Sequence, residues 1–128
     1  MWWFGDLTVI KGTVRSTAVE LDANLTLGTL ERAIVLFPPG CLGFVHVTFW
    51  RFEHQFLPEA AKGSILGDDY VFDVPCDYEI SEIPPVITVR AWNTANTYDH
   101  TITIGLFVRK EGVDRIKNAL RALFVGGG

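Results

Sequence analysis

The chain has 128 residues, the length of a single domain, and such a chain can bury roughly two-thirds of the surface that it exposes when unfolded. Its net charge of −4 argues against nucleic acid or an anionic membrane as a partner, because phosphate binding requires clustered Lys and Arg. Hydrophobic residues make up 48% of the chain and charged residues only 20%, so we expect some of the apolar surface to lie in interfaces.

The first ten residues, MWWFGDLTVI, do not resemble a signal peptide, since they lack a basic start and a small-residue cleavage pattern. No apolar run approaches the roughly 18 to 20 residues of a membrane span. We therefore expect synthesis in the cytoplasm. Residues 1–12 are predicted to form an aromatic N-terminal arm, whose large side chains would anchor on a neighbouring subunit: Trp2, Trp3 and Phe4. The alternative is a first strand that packs these aromatics into its own domain.

Residues 13–110 show the two-residue alternation of short, half-buried strands separated by turn residues. The candidate strands are Thr13–Leu21, Thr29–Phe37, Gly43–Arg51, Tyr70–Val74, Tyr78–Ile80, Val86–Trp92 and His100–Arg109. A parallel α/β fold would need crossover helices, for which there is no room. The sequence therefore predicts an all-β fold, an antiparallel β-sandwich of jelly-roll type.

Two of these strands have apolar residues on both faces. In GFVHVTFWR, Val45, Val47 and Phe49 share one face, while the other carries Phe44, His46 and Trp50. In HTITIGLFVR one face carries Ile102, Ile104, Leu106 and Val108, the other carries Phe107, and Gly105 indicates a bulge or a close backbone approach. We expect the faces with Trp50 and Phe107 to lie side by side and to be covered by a partner or by the C-terminal segment.

The stretch between the last two strands, AWNTANTYDH, has two interpretations. Asn93 and Asp99 are turn formers, and the segment fits a hairpin loop in which polar side chains bond free carbonyl groups. Alternatively, it forms a ligand loop, with an aromatic platform beside polar side chains: Trp92, Asn93, Tyr98, Asp99 and His100.

Residues 111–125 are predicted to form an amphipathic helix. Its apolar residues recur at steps of three and four and also fit the a and d positions of two heptads: Val113, Ile116, Leu120 and Leu123. The helix would either form a short coiled-coil seam around a symmetry axis or pack on its own domain, because isolated helices of this length are marginal.

Residues for catalysis or metal binding do not converge in the sequence. The three histidines, His46, His54 and His100, show no metal-ligand spacing. Cys41 and Cys76 do not form a zinc or disulfide pattern, and we expect free, buried thiols, although the sequence leaves open whether they pair. Since no nucleophile motif is present either, we predict neither a catalytic site nor a cofactor.

Three segments together resemble a family of small β-sandwich proteins encoded among the virion structural genes of tailed phages and phage-like elements. They are FPPGCLGFVHV (Phe37–Val47), HQFLPEAAKGSILGDDY (His54–Tyr70) and PPVITVRAWNTANTYDHTITIGLFV (Pro84–Val108). The resemblance implies an accessory virion component, such as a head-decoration or trimeric surface protein, without catalytic residues.

We therefore expect a non-enzymatic protein that self-assembles into or onto a virion or similar shell. Its partners would be further copies of itself, with a trimer favoured, and other shell proteins. The residues expected at the interface between copies are Trp2, Trp3, Phe4, Trp50, Val113, Ile116, Leu120 and Leu123. The alternative from another functional class is a carbohydrate-binding module that uses the Trp92–His100 loop.

Overall fold

A computed structural model describes residues 1–110, and these residues form nine β-strands and one short 3₁₀ helix. The strands are β1 (Trp2–Val9), β2 (Val19–Asn24), β3 (Gly28–Phe37), β4 (Val45–Arg51), β5 (His54–Leu57), β6 (Ile65–Leu66), β7 (Tyr70–Ile80), β8 (Val86–Asn93) and β9 (His100–Lys110). The 3₁₀ helix spans Arg15–Thr17. The helix predicted over residues 111–125, with Val113, Ile116, Leu120 and Leu123, lies outside the described residues.

The strands form two antiparallel sheets, which confirms the all-β prediction. The first sheet has the order β1-β9-β3-β7 and the second the order β2-β8-β4-β5, with β6 also pairing with β4. Successive strands from β1 to β4 alternate between the two sheets, and so do β7, β8 and β9.

One cluster of buried hydrophobic side chains contains residues of both sheets. From the first sheet, β9 contributes Ile102, Ile104, Leu106 and Val108, all fully buried. From the second sheet, β4 contributes Val45, Val47 and Phe49, also fully buried. The two-residue alternation of both strands therefore predicted the inward faces correctly.

Cys41 is buried in the same cluster and Cys76 packs against it, and both thiols are free.

Several boundaries differ from the sequence prediction. The region predicted as the strand Thr13–Leu21 holds the 3₁₀ helix and the beginning of β2. The two strands predicted at Tyr70–Val74 and Tyr78–Ile80 are one continuous strand, β7, which includes Pro75. Proline is tolerated there because β7 is an edge strand of the first sheet. A residue without an N–H group at a sheet edge does not have to remove a hydrogen bond between strands. The short strands β5 and β6 were not predicted.

The prediction of a separate N-terminal arm over residues 1–12 is wrong, because most of this segment belongs to the first sheet. β1 pairs with β9 along its whole length, from Trp2 opposite Phe107 to Val9 opposite His100. The N-terminal ammonium also donates a hydrogen bond of 2.7 Å to the carbonyl of Val108. The segment therefore forms a first strand, which was the alternative interpretation. Of its three aromatic side chains only Trp3 packs inward, whereas Trp2 and Phe4 are exposed.

Gly28 begins β3 at a point of close contact with β9. Its φ is +153°, and a Cβ atom there would lie 2.2 Å from the carbonyl oxygen of Arg109. A side chain at Gly28 therefore meets both a strained backbone and the backbone of the neighbouring strand.

We predict that Gly28→Ala lowers the free energy of unfolding by more than about 1 kcal/mol, because the methyl group forces β3 away from β9. Chemical denaturation measures the loss. Gly12→Ala is the control, since Gly12 also has a positive φ of +72° but a Cβ atom there would meet only Asn96 Oδ1, at 4.0 Å. Equal losses in both variants would contradict the steric explanation.

Candidate interaction surface on the first sheet

The outer face of the first sheet carries a contiguous group of large apolar side chains. Strand register places Trp2 beside Phe107, and in the next row Phe4 lies beside Gly105 and Ile34. In a third row Leu36 lies beside Val71. We call this surface the aromatic face, and it consists of Trp2, Phe4, Ile34, Leu36, Val71 and Phe107.

The aromatic rings of this face contact one another but remain open to solvent. Trp2 stacks on Phe4, with ring centroids 5.5 Å apart and an interplanar angle of 11°. It also contacts Phe107 at 4.8 Å with a tilt of 46°. Trp2 is nevertheless 45% exposed and Phe4 61% exposed. Exposed aromatic surface of this extent is typical of interaction sites.

Gly105 explains why the Phe4 ring lies close to the sheet. A Cβ atom at Gly105 would be 2.7 Å from the Cε1 atom of Phe4, so the ring occupies the space that any other side chain would fill. The sequence predicted a bulge or a close backbone approach at this glycine. β9 keeps its register through Gly105, and the close approach is made by the Phe4 ring.

Charged and polar side chains border the aromatic face. The Arg32 guanidinium lies 5.6 Å from the Trp2 ring centroid, and its Nε donates a hydrogen bond of 3.1 Å to Asp73. This pairing holds the pKa of Asp73 below its usual value. Toward the other end of the sheet, the Thr103 hydroxyl donates a 2.8 Å hydrogen bond to Asp6. The aromatic rings of the face therefore lie toward the end of β9 at Lys110, whereas Leu36 and Val71 share a row with Thr103 and Asp6.

The outer face of the second sheet also carries aromatic residues, but the chain covers them itself. Trp92 stacks on His46, with centroids 5.1 Å apart and an angle of 3°, and the Arg15 guanidinium lies 4.5 Å above its ring. Arg15 in turn donates hydrogen bonds to Gln55 and to the carbonyls of Lys62 and Gly63. As a result Trp92 is only 6% exposed.

Trp50 is covered in a similar way. The Arg90 guanidinium lies 4.3 Å from its ring centroid, and its indole N–H donates a 2.9 Å hydrogen bond to Thr48. Arg90 also forms an ion pair of 2.9 Å with Glu20. The two tryptophan rings on this face therefore each lie under a guanidinium from their own chain, whereas Phe44 remains 43% exposed.

The structure brings together two of the four described residues that were predicted at the interface between copies. Trp2 and Phe4 lie on the aromatic face, whereas Trp3 points inward and packs against the core. Trp50 lies on the second sheet, and the expectation that its face adjoins Phe107 is wrong, because β4 and β9 belong to different sheets. The remaining predicted residues, Val113, Ile116, Leu120 and Leu123, lie outside the described part of the chain.

Three members of the aromatic face were not predicted from the sequence: Ile34, Leu36 and Val71. The signal was present in β3, where Ile34 and Leu36 alternate with the buried residues Ala33, Val35 and Phe37. A strand with apolar residues on both of its faces has an outer face that another protein surface can cover. The sequence does not reveal which other strands lie beside it.

The five residues of the predicted ligand loop do not share one surface. Trp92 is covered by Arg15, Tyr98 is 72% exposed, and Asn93 is fully buried. The Asn93 amide donates hydrogen bonds to the carbonyls of Tyr98 (2.9 Å) and Val9 (3.4 Å) and accepts one from the Ala95 N–H (3.0 Å).

Asp99 and His100 complete this loop. The Asp99 carboxylate accepts a hydrogen bond of 2.8 Å from the Lys11 N–H, which ties the loop to the residues after β1. His100 is half-buried at the beginning of β9. Asn93 therefore bonds the backbone of the loop itself, whereas Asp99 connects the loop to Lys11.

Among residues 1–110 no group of three His, Cys, Asp or Glu side chains is arranged to hold a metal ion. No helix within the same range is long and apolar enough to cross a membrane. Small clefts of about 190, 260 and 320 Å³ lie near the edge strands β5 and β7, around the stacked rings of Phe56 and Tyr78.

Comparison with known proteins gives no relative: no protein family, curated protein or solved structure matches the chain. The resemblance to virion proteins therefore depends on the sequence segments named above. The geometry of the aromatic face stands independently of it.

We predict that Asn93→Ala destabilises the protein by about 1–3 kcal/mol, because the carbonyls of Val9 and Tyr98 lose a buried donor. Thermal and chemical unfolding measure this loss. Asn96→Ala is the matched control, since Asn96 is an exposed residue of the same loop. If both variants were equally stable, Asn93 would not hold the loop together.

We also predict a loss of stability in mild acid that depends on His46. Burial, reinforced by the charge of Arg15, lowers the pKa of His46 below the usual 6.5. A lowered folded-state pKa means that protonation favours the unfolded chain, so stability is complete above pH 6.5 and falls as the pH drops toward the folded-state pKa. Unfolding free energies measured across this range should fall less steeply in His46→Gln than in wild type, and equal slopes in the two proteins would contradict the role of His46.

Proposed function

We propose that this protein is a non-enzymatic structural component that assembles with copies of itself into or onto a virion or similar shell. The observation that carries the proposal is the aromatic face, where stacked rings of Trp2 and Phe4 remain about half exposed. Aromatic side chains provide much of the binding energy at protein interfaces, and their exposure in water is unfavourable. Covering this face with another protein removes the cost.

The fold also supports a shell component. The proposal includes a β-sandwich of jelly-roll type, which two antiparallel sheets with the strand orders β1-β9-β3-β7 and β2-β8-β4-β5 support. Jelly rolls occur in viral capsid proteins, but also in lectin domains and cupins, so the fold alone does not select among these functions. The resemblance of the three sequence segments to phage virion proteins favours the shell.

In this proposal the jelly roll is a rigid block and the aromatic face is a contact between blocks. The protein would be made in the host cytoplasm and reside in the virion, as a decoration or accessory capsid component beside other shell proteins. The apolar stripe predicted at Val113, Ile116, Leu120 and Leu123 would provide a second contact, around a threefold axis if the oligomer is a trimer.

The carbohydrate-binding alternative keeps an exposed ring at Tyr98 but loses the platform predicted at Trp92 and Asn93. A sugar platform needs an open aromatic ring beside free polar groups, whereas Trp92 lies beneath Arg15 and the Asn93 amide is fully engaged by the loop backbone. The self-assembly proposal uses rings that are open to solvent.

We predict that the double variant Trp2→Thr/Phe4→Ser reduces the solution mass of the assembly to smaller units, because it removes the exposed rings from the aromatic face while keeping β-compatible residues in β1. Multi-angle light scattering over a concentration series gives the mass, and circular dichroism checks that the fold is kept. Tyr98→Ser is the control, since Tyr98 is an equally large, exposed side chain on a loop.

The outcome of the mass measurement decides the proposal. A wild-type protein that is monomeric at every concentration would overturn self-assembly. A wild-type oligomer that the double variant leaves intact would show that assembly does not use Trp2 and Phe4, and a chain ending at Lys110 would then test the C-terminal stripe. Electron microscopy of the same samples shows whether the oligomers form closed shells.

A further inference from the structure

The free edges of the two sheets differ in how well they are protected. An edge strand exposes unpaired backbone groups to other chains, and proteins protect such edges with proline, charged side chains or short strands. β7, at one edge of the first sheet, carries Pro75 together with Asp73, Asp77 and Glu79. β5 has only four residues, and β2 carries Glu20 and Asp22.

β1, at the other edge of the first sheet, lacks this protection. It has eight residues, contains no proline or lysine, and carries one charged side chain, Asp6, against two on β2 and three on β7. It also bears Trp2 and Phe4, the most exposed aromatic residues of the face. Among the four sheet edges of the described chain, β1 is therefore the one suited to pair with another strand.

The backbone groups that β1 offers can be identified from its pairing with β9. Met1 and Val108 exchange two hydrogen bonds, of 2.7 and 2.8 Å, so this residue pair bonds directly across the two strands. In an antiparallel ladder such pairs alternate, and the odd-numbered residues of β1 therefore bond to β9. The N–H and C=O groups of the even-numbered residues point away from the sheet: Trp2, Phe4, Asp6 and Thr8.

We infer that β1 of one copy pairs antiparallel with β1 of a second copy around a twofold axis at Gly5. This inference rests on the proposed self-assembly and specifies its contact. The two first sheets would then form one continuous sheet of eight strands. A twofold contact requires a self-complementary surface, and an antiparallel strand edge with little charge meets that requirement.

The register follows from the outward groups. With Gly5 opposite Gly5 of the second copy, Trp2 pairs with Thr8 and Phe4 pairs with Asp6, so all four outward residues of each copy find partners. Shifting by two residues in either direction leaves one outward residue of each copy unpaired, and one of these shifts places Asp6 opposite Asp6. The chosen register also makes the two Phe4 residues diagonal neighbours, within reach of ring contact.

The decisive comparison is between Asp6→Pro and Asp6→Ser. Both variants lose the carboxylate that accepts from Thr103, but only proline removes the outward N–H and places its ring where the second strand would lie. Proline is compatible with β1 itself, because this N–H does not bond to β9.

We expect light scattering to give an even number of copies for wild type and Asp6→Ser, and half that mass for Asp6→Pro. Circular dichroism and thermal unfolding show whether the proline variant is folded. A folded Asp6→Pro protein with the wild-type mass would overturn edge pairing while leaving self-assembly in place. A monomeric wild-type protein would overturn both proposals.

Disulfide trapping tests the register without relying on the proline variant. Chains carrying Phe4→Cys are mixed with chains carrying Asp6→Cys and oxidised, because paired residues of an antiparallel ladder lie within the Cα distance that a disulfide requires. We expect more cross-linked dimer in the mixture than in either variant alone or in wild type. The wild-type protein gives the background of cross-linking through Cys41 and Cys76. Cross-linking at the background level in the mixture would overturn the proposed register.

Discussion

The two-residue repeat of β9 is the constraint on which both the core and the exposed surface depend. This strand lies between β1 and β3 in the first sheet. Its inward residues, from Ile102 to Val108, are therefore central among the side chains that this sheet contributes to the core. Its outward residues support the rings of β1, because Phe107 contacts Trp2 and Gly105 lies beneath Phe4. A shift of β9 by one residue would exchange these two sets and lose both features together. The interaction surface is thus built from the same alternation that builds the core.

The two outer faces show how the same residue types give different results. On the second sheet, Arg15 and Arg90 lie over the rings of Trp92 and Trp50 and are themselves held by hydrogen bonds and an ion pair within the chain. On the first sheet, Arg32 approaches the Trp2 ring only at 5.6 Å and is directed toward Asp73. The two tryptophans of the second face are therefore covered by their own chain, whereas Trp2 and Phe4 of the first face keep one side of each ring exposed to solvent.

Much of the fold could be predicted from the sequence, because alternation is a local property of each strand. The inward faces of β4 and β9 followed from it directly, and so did the all-β class. What could not be predicted was the arrangement of strands. A strand was predicted to end before Pro75, because the sequence does not show that β7 is an edge strand, where proline is tolerated. Phe107 was predicted to lie beside Trp50, because the sequence does not show that β4 and β9 belong to different sheets. Of the candidate site, Trp2 and Phe4 were predicted because they are large aromatic residues of the run MWWF, while Ile34, Leu36 and Val71 were found only from the strand order.

Gly105 lies in the aromatic face without contributing a side chain to it, and this has a consequence for how the surface could evolve. The height of the Phe4 ring above the sheet is determined by the empty space over this glycine. A single added methyl group would push the ring outward and turn a flat contact area into a raised one, with no change in the charge of the protein or in the composition of its core. The shape that a partner meets is thus controlled by a residue that the partner need not touch.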